Sequence, residues 1–143
     1  MLNSLCKFMV SKQIRFITIS GSTKAEKRNE LCNEFQKNPN IMCGLLSITA
    51  CGVGLNLNAA SLVIFAELFW NPGALMQAED RAHRLGQTRP VEVKYLLAKG
   101  TIDDHIWPLL VNKLNFLTKT GLSNENFNEF EDSLLQASIY ERT

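Results

Sequence analysis

Gln77, Arg81 and Arg84 have the types and the spacing to handle phosphate. They stand at i, i+4 and i+7, so at about 100° per residue they fall within about 60° of one another on a helix. A guanidinium is a planar fork of donors that matches phosphate oxygens, and two of them on a rigid helix can meet the terminal charge of a nucleoside triphosphate. The same three can instead form a solvated face on which Arg81 and Arg84 offset Glu79 and Asp80, and spacing alone leaves both readings open. Leu75, Ala78, Ala82 and Leu85 cover a separate arc of about 80°, an apolar stripe for a core. His83 lies nearer that stripe than the arginine face and reads as a structural or surface residue rather than a base.

Residues 20–23, 47–58 and 67–71 are dense in hydroxyls, amides and glycines. Such groups offer backbone and side-chain donors to phosphate oxygens without reading base sequence. Plain turn chemistry explains any one of these segments. Three of them on one sheet edge favour a binding role. The sequence has no G-x-x-x-x-G-K-[ST] phosphate loop and no Cys/His/Asp triad spacing, and Gly52-Val53-Gly54 is too short for a dinucleotide fingerprint. Any nucleotide chemistry therefore needs another polypeptide segment to hold phosphates and magnesium.

The elements that must position these residues follow from periodicity and end signals. Leu2, Leu5, Cys6 and Met9 recur at helical spacing. Residues 15–20 (RFITIS) read as a strand, and Thr23 with Glu26 as a capping box that opens a helix burying Leu31 and Phe35 and ending before Pro39. Residues 41–47 and 62–66 read as strands around a Gly-rich turn. Asn71 and Pro72 supply an N-cap and a first-turn proline for a helix over 72–85, which Gly86 closes. Residues 91–98 form a further strand. Thr101 with Asp104 starts a last helix to about Lys119, kinked at Pro108, and from Gly121 the chain is polar and acidic. Strands alternating with helices four times predict parallel βαβ units, hence an α/β fold with helices on both sheet faces. In such sheets ligands gather at the carboxyl ends of the strands, which is where residues 20–23, 47–58, 67–71 and 99–101 lie.

Composition agrees with a compact domain: 143 residues, 45% hydrophobic and 20% charged, with 8 Gly and 4 Pro. The net charge of +1 is unevenly spread, with seven Lys/Arg against three Glu in residues 1–37 and three against seven acidic residues in 101–143. That suits a polyanion on one side only, and ordinary solvated faces equally. Cys6, Cys32, Cys43 and Cys51 show neither C-x-x-C nor a companion His spacing, so they read as reduced core residues and not as a metal site. Lys7 interrupts what would be the apolar core of a signal peptide. The charge-free stretch 38–66 is broken by Gly44, Gly52, Gly54, Asn56 and Asn58, which favours two buried strands over a membrane span.

The runs ISGSTKAEKRNELCNEFQ, LLSITACGVGLNLNAASLVIFAELFWNPG and QAEDRAHRLGQTRPVEVKYLLAKGTIDDHI resemble successive motifs of the second RecA-like lobe of SWI/SNF-related, superfamily-two helicase-like ATPases, over residues 13–120. FAELFWNPG, where most relatives have aspartate-proline before the tryptophan, together with WPLL and GLSNENF, is similar to the HepA-related annealing-helicase branch. The resemblance implies a nuclear, ATP-driven translocase on double-stranded or forked DNA that rewinds strands and remodels stalled replication forks. ATP with magnesium would sit between two lobes, the first supplying the phosphate loop, the magnesium carboxylates and the catalytic glutamate. It implies that Arg81 and Arg84 are catalytic, with Gly54 and Gln77 near the nucleotide. DNA-backbone contact falls to Ser22, Thr23, Ser47 and Thr49, with Trp70 close to the groove. Implied partners are the first RecA-like lobe and a single-strand-binding protein reached through segments absent here, with no membrane. The expected division is a helicase C-terminal domain over residues 1–120, lacking its usual first apolar strand, and an acidic tail over 121–143. With the first lobe missing, the expectation is a fragment inactive by itself. The alternatives are a non-catalytic DNA- or partner-binding module and a lobe of a nucleosome-remodelling ATPase.

Overall fold

The computed structural model describes residues 1–50, 54–82 and 86–119. In chain order they form α1 (Leu2–Ser11), β1 (Phe16–Ile19), α2 (Ala25–Lys37), β2 (Cys43–Leu46), a 3-10 turn at Ile48–Ala50, β3 (Leu62–Phe65), α3 (Pro72–Glu79), β4 (Glu92–Tyr95) and α4 (Asp103–Lys119). Helix and strand alternate as the periodicity predicts. Both strand pairs are parallel: Phe16 to Ile19 lie opposite Cys43 to Leu46, and Leu62 to Phe65 opposite Glu92 to Tyr95. A parallel pair cannot be closed by a hairpin, which is why each crossover carries a helix. The charge-free stretch thus holds two strands. Among the described residues no helix is long and apolar enough to cross a membrane.

The chain groups into two compact units, one of Met1–Ser61 with Ala74–Val91, the other of Leu62–Gly73 with the chain from Glu92 on. In the first, side chains alternate across β1. Ile17 and Ile19, 3% and 0% exposed, join Cys32, Ala50, Leu55 and Leu57 in a core flanked by Leu31 and Phe35 of α2. Burying each isoleucine contributes about 1.5–3 kcal/mol. Thr18 faces the other way, with Oγ1 3.6 Å from Cys6 Sγ on α1. Helices therefore cover both faces of this ladder. Cys6, Cys32 and Cys43 are free thiols, and burial pushes those of Cys32 and Cys43 up from their ordinary range. Cys51 lies outside the described residues, as does the acidic tail over 121–143.

In the second unit an aromatic row ties the strands to α4. The rings of Phe65 and Tyr95 stack at 4.6 Å, and Tyr95 meets Trp107 at 5.3 Å. Leu110 and Leu114 are buried one and two turns further along α4. Leu62 and Ile64, on the opposite face of β3, are exposed. Thr101 Oγ1 accepts the Asp103 N–H at 3.2 Å, while Asp104 Oδ2 accepts the Gly100 N–H at 2.7 Å. These two bonds hold the turn from which α4 starts at Asp103, close to where the sequence places it. Pro108 lies inside the helix.

Two local expectations are corrected. Thr23 does not cap α2: the helix starts at Ala25 with Lys24 at the N-cap, and Thr23 Oγ1 instead accepts the Ser20 N–H at 3.0 Å, closing the preceding loop. The helix expected over 72–85 is regular only to Glu79. Asn71 Oδ1 does cap it, accepting the Gly73 N–H at 3.0 Å. At its other end Arg81 and Ala82 donate three residues back, to Ala78 and Glu79. The Arg81 carbonyl, which a continuing α-helix would offer to residue 85, accepts the Leu57 N–H at 3.0 Å. Gly86 sits at φ +102°, where a Cβ would lie 3.1 Å from Asn58 Nδ2, so both conformation and space favour glycine there.

Leu75 and Ala82 of the predicted stripe are 1% and 2% exposed, whereas Leu85 lies outside the described residues. Leu75→Ala is expected to destabilise by about 2–5 kcal/mol through the cavity it leaves. A thermal melt should then fall by roughly 5–15 °C.

Candidate functional site

The carboxyl edge of β1 and β2 gathers hydroxyls. The chain leaves β1 and enters α2 through residues 20–24, and the loop is closed on itself: the Thr23 N–H donates to the Ser20 carbonyl at 3.0 Å, and Ser20 Oγ lies 2.9 Å from Ser22 Oγ. Arg28, one turn into α2, reaches back to gather its carbonyls, with Nε donating to Thr23 at 2.7 Å and a terminal nitrogen to Gly21 at 3.1 Å. After β2, the Ser47 N–H continues the ladder onto the Ile19 carbonyl at 3.0 Å, and Ser47 Oγ lies 3.3 Å from Thr49 Oγ1. The two turns adjoin, since a Cβ at Gly21 would stand 3.9 Å from Thr49 Oγ1. Ser22, Thr23, Ser47 and Thr49 are thereby brought together on one edge, Ser22 and Thr49 exposed, Thr23 and Ser47 half-buried. A hydroxyl rotates about its C–O bond, so these groups can turn an O–H toward a phosphate oxygen.

A second cluster surrounds the Gly-rich turn. Gly54 has φ +43°, is exposed, and has open space where a Cβ would be. Leu55 and Leu57 anchor the chain just beyond it in the core. The irregular backbone that follows has no ladder partner, so side chains take its polar groups. Gln36 donates to the Asn56 carbonyl at 2.9 Å and accepts the Ala59 N–H at 2.8 Å. Gln87 Nε2 donates to the carbonyls of Asn58 (2.9 Å) and Ala60 (2.8 Å), with Ala82 at 3.4 Å. Arg89 donates to the Ala59 carbonyl at 2.8 Å. Together with the bond from Leu57 to Arg81, these ties link the turn that carries Gly54 to the segment that carries Arg81.

Gln77 is exposed on α3, and Arg81 is half-buried in the tighter turn after it. The arc of about 60° assumed an unbroken helix, so it does not describe Arg81. Arg84 lies outside the described residues together with His83 and Leu85. Trp70 belongs to the other unit, where it is exposed and carries the ammonium of Lys113 3.6 Å above its ring. Among the described residues no group of three or more His, Cys, Asp or Glu is placed to hold a metal. Sequence reasoning did not single out Arg28, Gln36, Gln87 or Arg89. Their partners are backbone groups of loops, adjoining for Arg28 and mostly distant for the others, which leave no periodic trace, although Gln87 falls within the third of the runs that carry the resemblance.

Residues 1–86 match the Helicase conserved C-terminal domain. The Xenopus laevis "SWI/SNF-related matrix-associated actin-dependent regulator of chromatin subfamily A-like protein 1" is 48% identical over 132 residues, 92% of this chain and 14% of that protein. The human "DNA annealing helicase and endonuclease ZRANB3" is 46% identical over 113 residues, 79% of this chain and 10% of that protein. The chain thus spans a small part of the length of these relatives. Among solved structures, the C-terminal part of the Fun30 ATPase domain matches 76% of this chain and 35% of its own at 35% identity, with a TM-score of 0.74. The Sulfolobus solfataricus SWI2/SNF2 ATPase core domain matches 82% of this chain and 23% of its own at 32% identity, with a TM-score of 0.60. The α/β fold is accordingly that of the second, RecA-like lobe of an SNF2-type ATPase. With that fold, and a match running through the hydroxyl edge, the Gly-rich turn and the arginine segment, the chain belongs to the helicase C-terminal domain family, alongside SWI/SNF-related and annealing-helicase relatives.

Proposed function

We propose that this chain serves as the second ATPase lobe of a nuclear, ATP-driven DNA translocase of the annealing-helicase type, which rewinds DNA and remodels stalled forks. The observation that carries the reading is the shared edge of Ser22, Thr23, Ser47 and Thr49 at the ends of two parallel strands. Short neutral donors in that position suit phosphate oxygens and read no base, as a motor moving along DNA requires. Trp70 lies close to the DNA groove in this reading. The nucleotide, ATP with magnesium, is met from this side by Gly54, Gln77, Arg81 and Arg84. Gly54 fits such a role because its open side lets backbone approach a phosphate. Arg81 and Arg84 stabilise charge on the phosphoryl group in transfer, a contribution on the order of 10³–10⁵ in rate in related systems. The phosphate loop and the magnesium carboxylates belong to a first lobe, so the isolated chain does not hydrolyse ATP. Double-stranded or forked DNA and that first lobe are the partners, with a single-strand-binding protein engaged through other segments.

Two measurements test this. The purified 143-residue chain should show no ATP hydrolysis stimulated by forked DNA. In a chimaera in which it replaces the matching segment of the human relative, Arg81→Ala or Arg84→Ala should lower turnover by about 10²-fold or more with DNA affinity within about twofold. Arg84→Lys should fail almost as badly, because an ammonium does not reproduce the planar fork. Turnover at the parental rate in the arginine variants sinks the catalytic assignment.

DNA binding by the same chimaera should be indifferent to base sequence and weaken steeply with salt, as phosphate contacts dictate. A fluorescence titration of two unrelated duplexes at two salt concentrations reads both properties. Sequence-selective binding would remove the four hydroxyl residues from the phosphates, while the salt slope counts the cationic contacts made alongside these neutral donors.

A further inference from the structure

We propose that Gln87 is a positioning residue for Arg81, acting through the backbone on either side of it; the inference rests on the nucleotide role given to Arg81 above. A carboxamide has two N–H donors and one carbonyl acceptor, and Gln87 commits both ends. Its two donors take the Asn58 and Ala60 carbonyls at 2.9 and 2.8 Å, with the Ala82 carbonyl sharing at 3.4 Å. Its Oε1 accepts the Arg89 N–H at 3.0 Å, which fixes the rotation of the amide, so that nitrogen and not oxygen faces the three carbonyls.

The partners of this one amide fall on two stretches of chain. Asn58 and Ala60 continue the turn that carries Gly54, and Ala82 is the residue after Arg81. Arg81 is held at its own carbonyl too, by the Leu57 N–H at 3.0 Å. The backbone around Arg81 is thus fastened to residues 57–60 at two successive carbonyls, one bond made by backbone and one by Gln87. Both fastenings come directly after the regular part of α3 ends at Glu79, where helical hydrogen bonds no longer set the direction of the chain. Gly86 lets the chain turn back to place Gln87 there: φ +102° is a conformation that L side chains rarely adopt, and a Cβ would stand 3.1 Å from Asn58 Nδ2.

A second tie works on the same stretch from α2, where Gln36 holds Asn56 and Ala59. Gln87 differs from Gln36 in that its donors also reach the Arg81 segment, at the Ala82 carbonyl. Removing them takes away the side-chain half of this fastening and leaves the Leu57 bond, so Arg81 shifts relative to Gly54 without opening the core of Leu55, Leu57, Leu75 and Ala82, all of which stay buried by their own packing. The cost should fall on the chemical step, since a misplacement of about 1 Å can cost about 10²-fold in rate.

The test uses the chimaera described above with Gln87→Met, which keeps length and bulk but has no donor, and Gln87→Glu, which keeps the Arg89 contact and turns an oxygen toward the carbonyls. Both should lower kcat by roughly tenfold to 10²-fold with KM for ATP within about threefold. Combined with Arg81→Ala, either should add less than about twofold to the loss, because residues acting through one another are not additive. Amide hydrogen exchange at Leu57 should speed up while that at Ser47, bonded to Ile19 in the same unit, should not. Parental kcat in Gln87→Met, a loss that multiplies with that of Arg81→Ala, or a loss that disappears on cooling below a lowered melting temperature overturns the proposal. An Arg81→Ala variant with parental turnover brings down the proposed function and this inference together; an impaired Arg81→Ala beside an unimpaired Gln87→Met brings down this inference alone.

Discussion

Two strands that run parallel end at the same edge, and that geometry decides where everything else in the first unit can be. Because Phe16 to Ile19 pair in register with Cys43 to Leu46, the turns after Ile19 and Leu46 are neighbours although some 25 residues separate them in sequence. The ladder's last bond, from the Ser47 N–H to the Ile19 carbonyl, locks the two turns together. Alternation across β1 then puts Ile17 and Ile19 under α2 and Thr18 under α1, so the pair is covered on both faces and only its edge is left for polar work. An antiparallel pairing of the same segments would send the two turns to opposite edges.

What the ladder positions, side chains from elsewhere complete. Among the described residues the backbone of 54–61 pairs in neither ladder, and its polar groups need partners if it is to keep one conformation. Gln36 of α2 and Gln87 supply them, with Arg89 adding a third contact, and Arg28 does the same for the loop after β1. Each such bond is worth only about 0.5–1.5 kcal/mol net. Their value lies in number and direction, since several donors converging on one short stretch leave it few alternatives. Polar residues that a sequence reader assigns to solvent are here the frame of the site.

The sequence was readable where one residue type dictates one local geometry. Asn71 before Pro72 announced the start of α3, Thr101 and Asp104 that of α4, and the β-rich run in residues 15–20 the strand β1. The hydroxyl turns could be placed on a common edge because parallel topology was legible from the alternation of elements. What escaped were competitions settled by tertiary partners. Thr23 had the right spacing to cap α2, but the Ser20 N–H was nearer at hand. The apolar stripe of Leu75, Ala78 and Ala82 continues past Glu79 as if the helix did, because periodicity records the side chains and not the Leu57 N–H that takes the Arg81 carbonyl. Gln87, flanked by glycine and threonine, has no apolar rhythm at all, and only the positions of three carbonyls reveal what it does.

The second unit contains both tryptophans of the chain, in contrasting surroundings. Trp107 is half-buried with its ring 5.3 Å from that of Tyr95, which itself stacks on Phe65. Trp70 is exposed, under the ammonium of Lys113. The indoles therefore differ optically. Excitation absorbed by the Tyr95 phenol passes to Trp107 across so short a gap, giving the aromatic row its own emission. Trp70, exposed to water, should emit further to the red and be open to collisional quenchers. The molecule carries two light-reporting positions that need no added dye, one sensing the packing of β4 against α4 and the other sensing whatever approaches the start of α3.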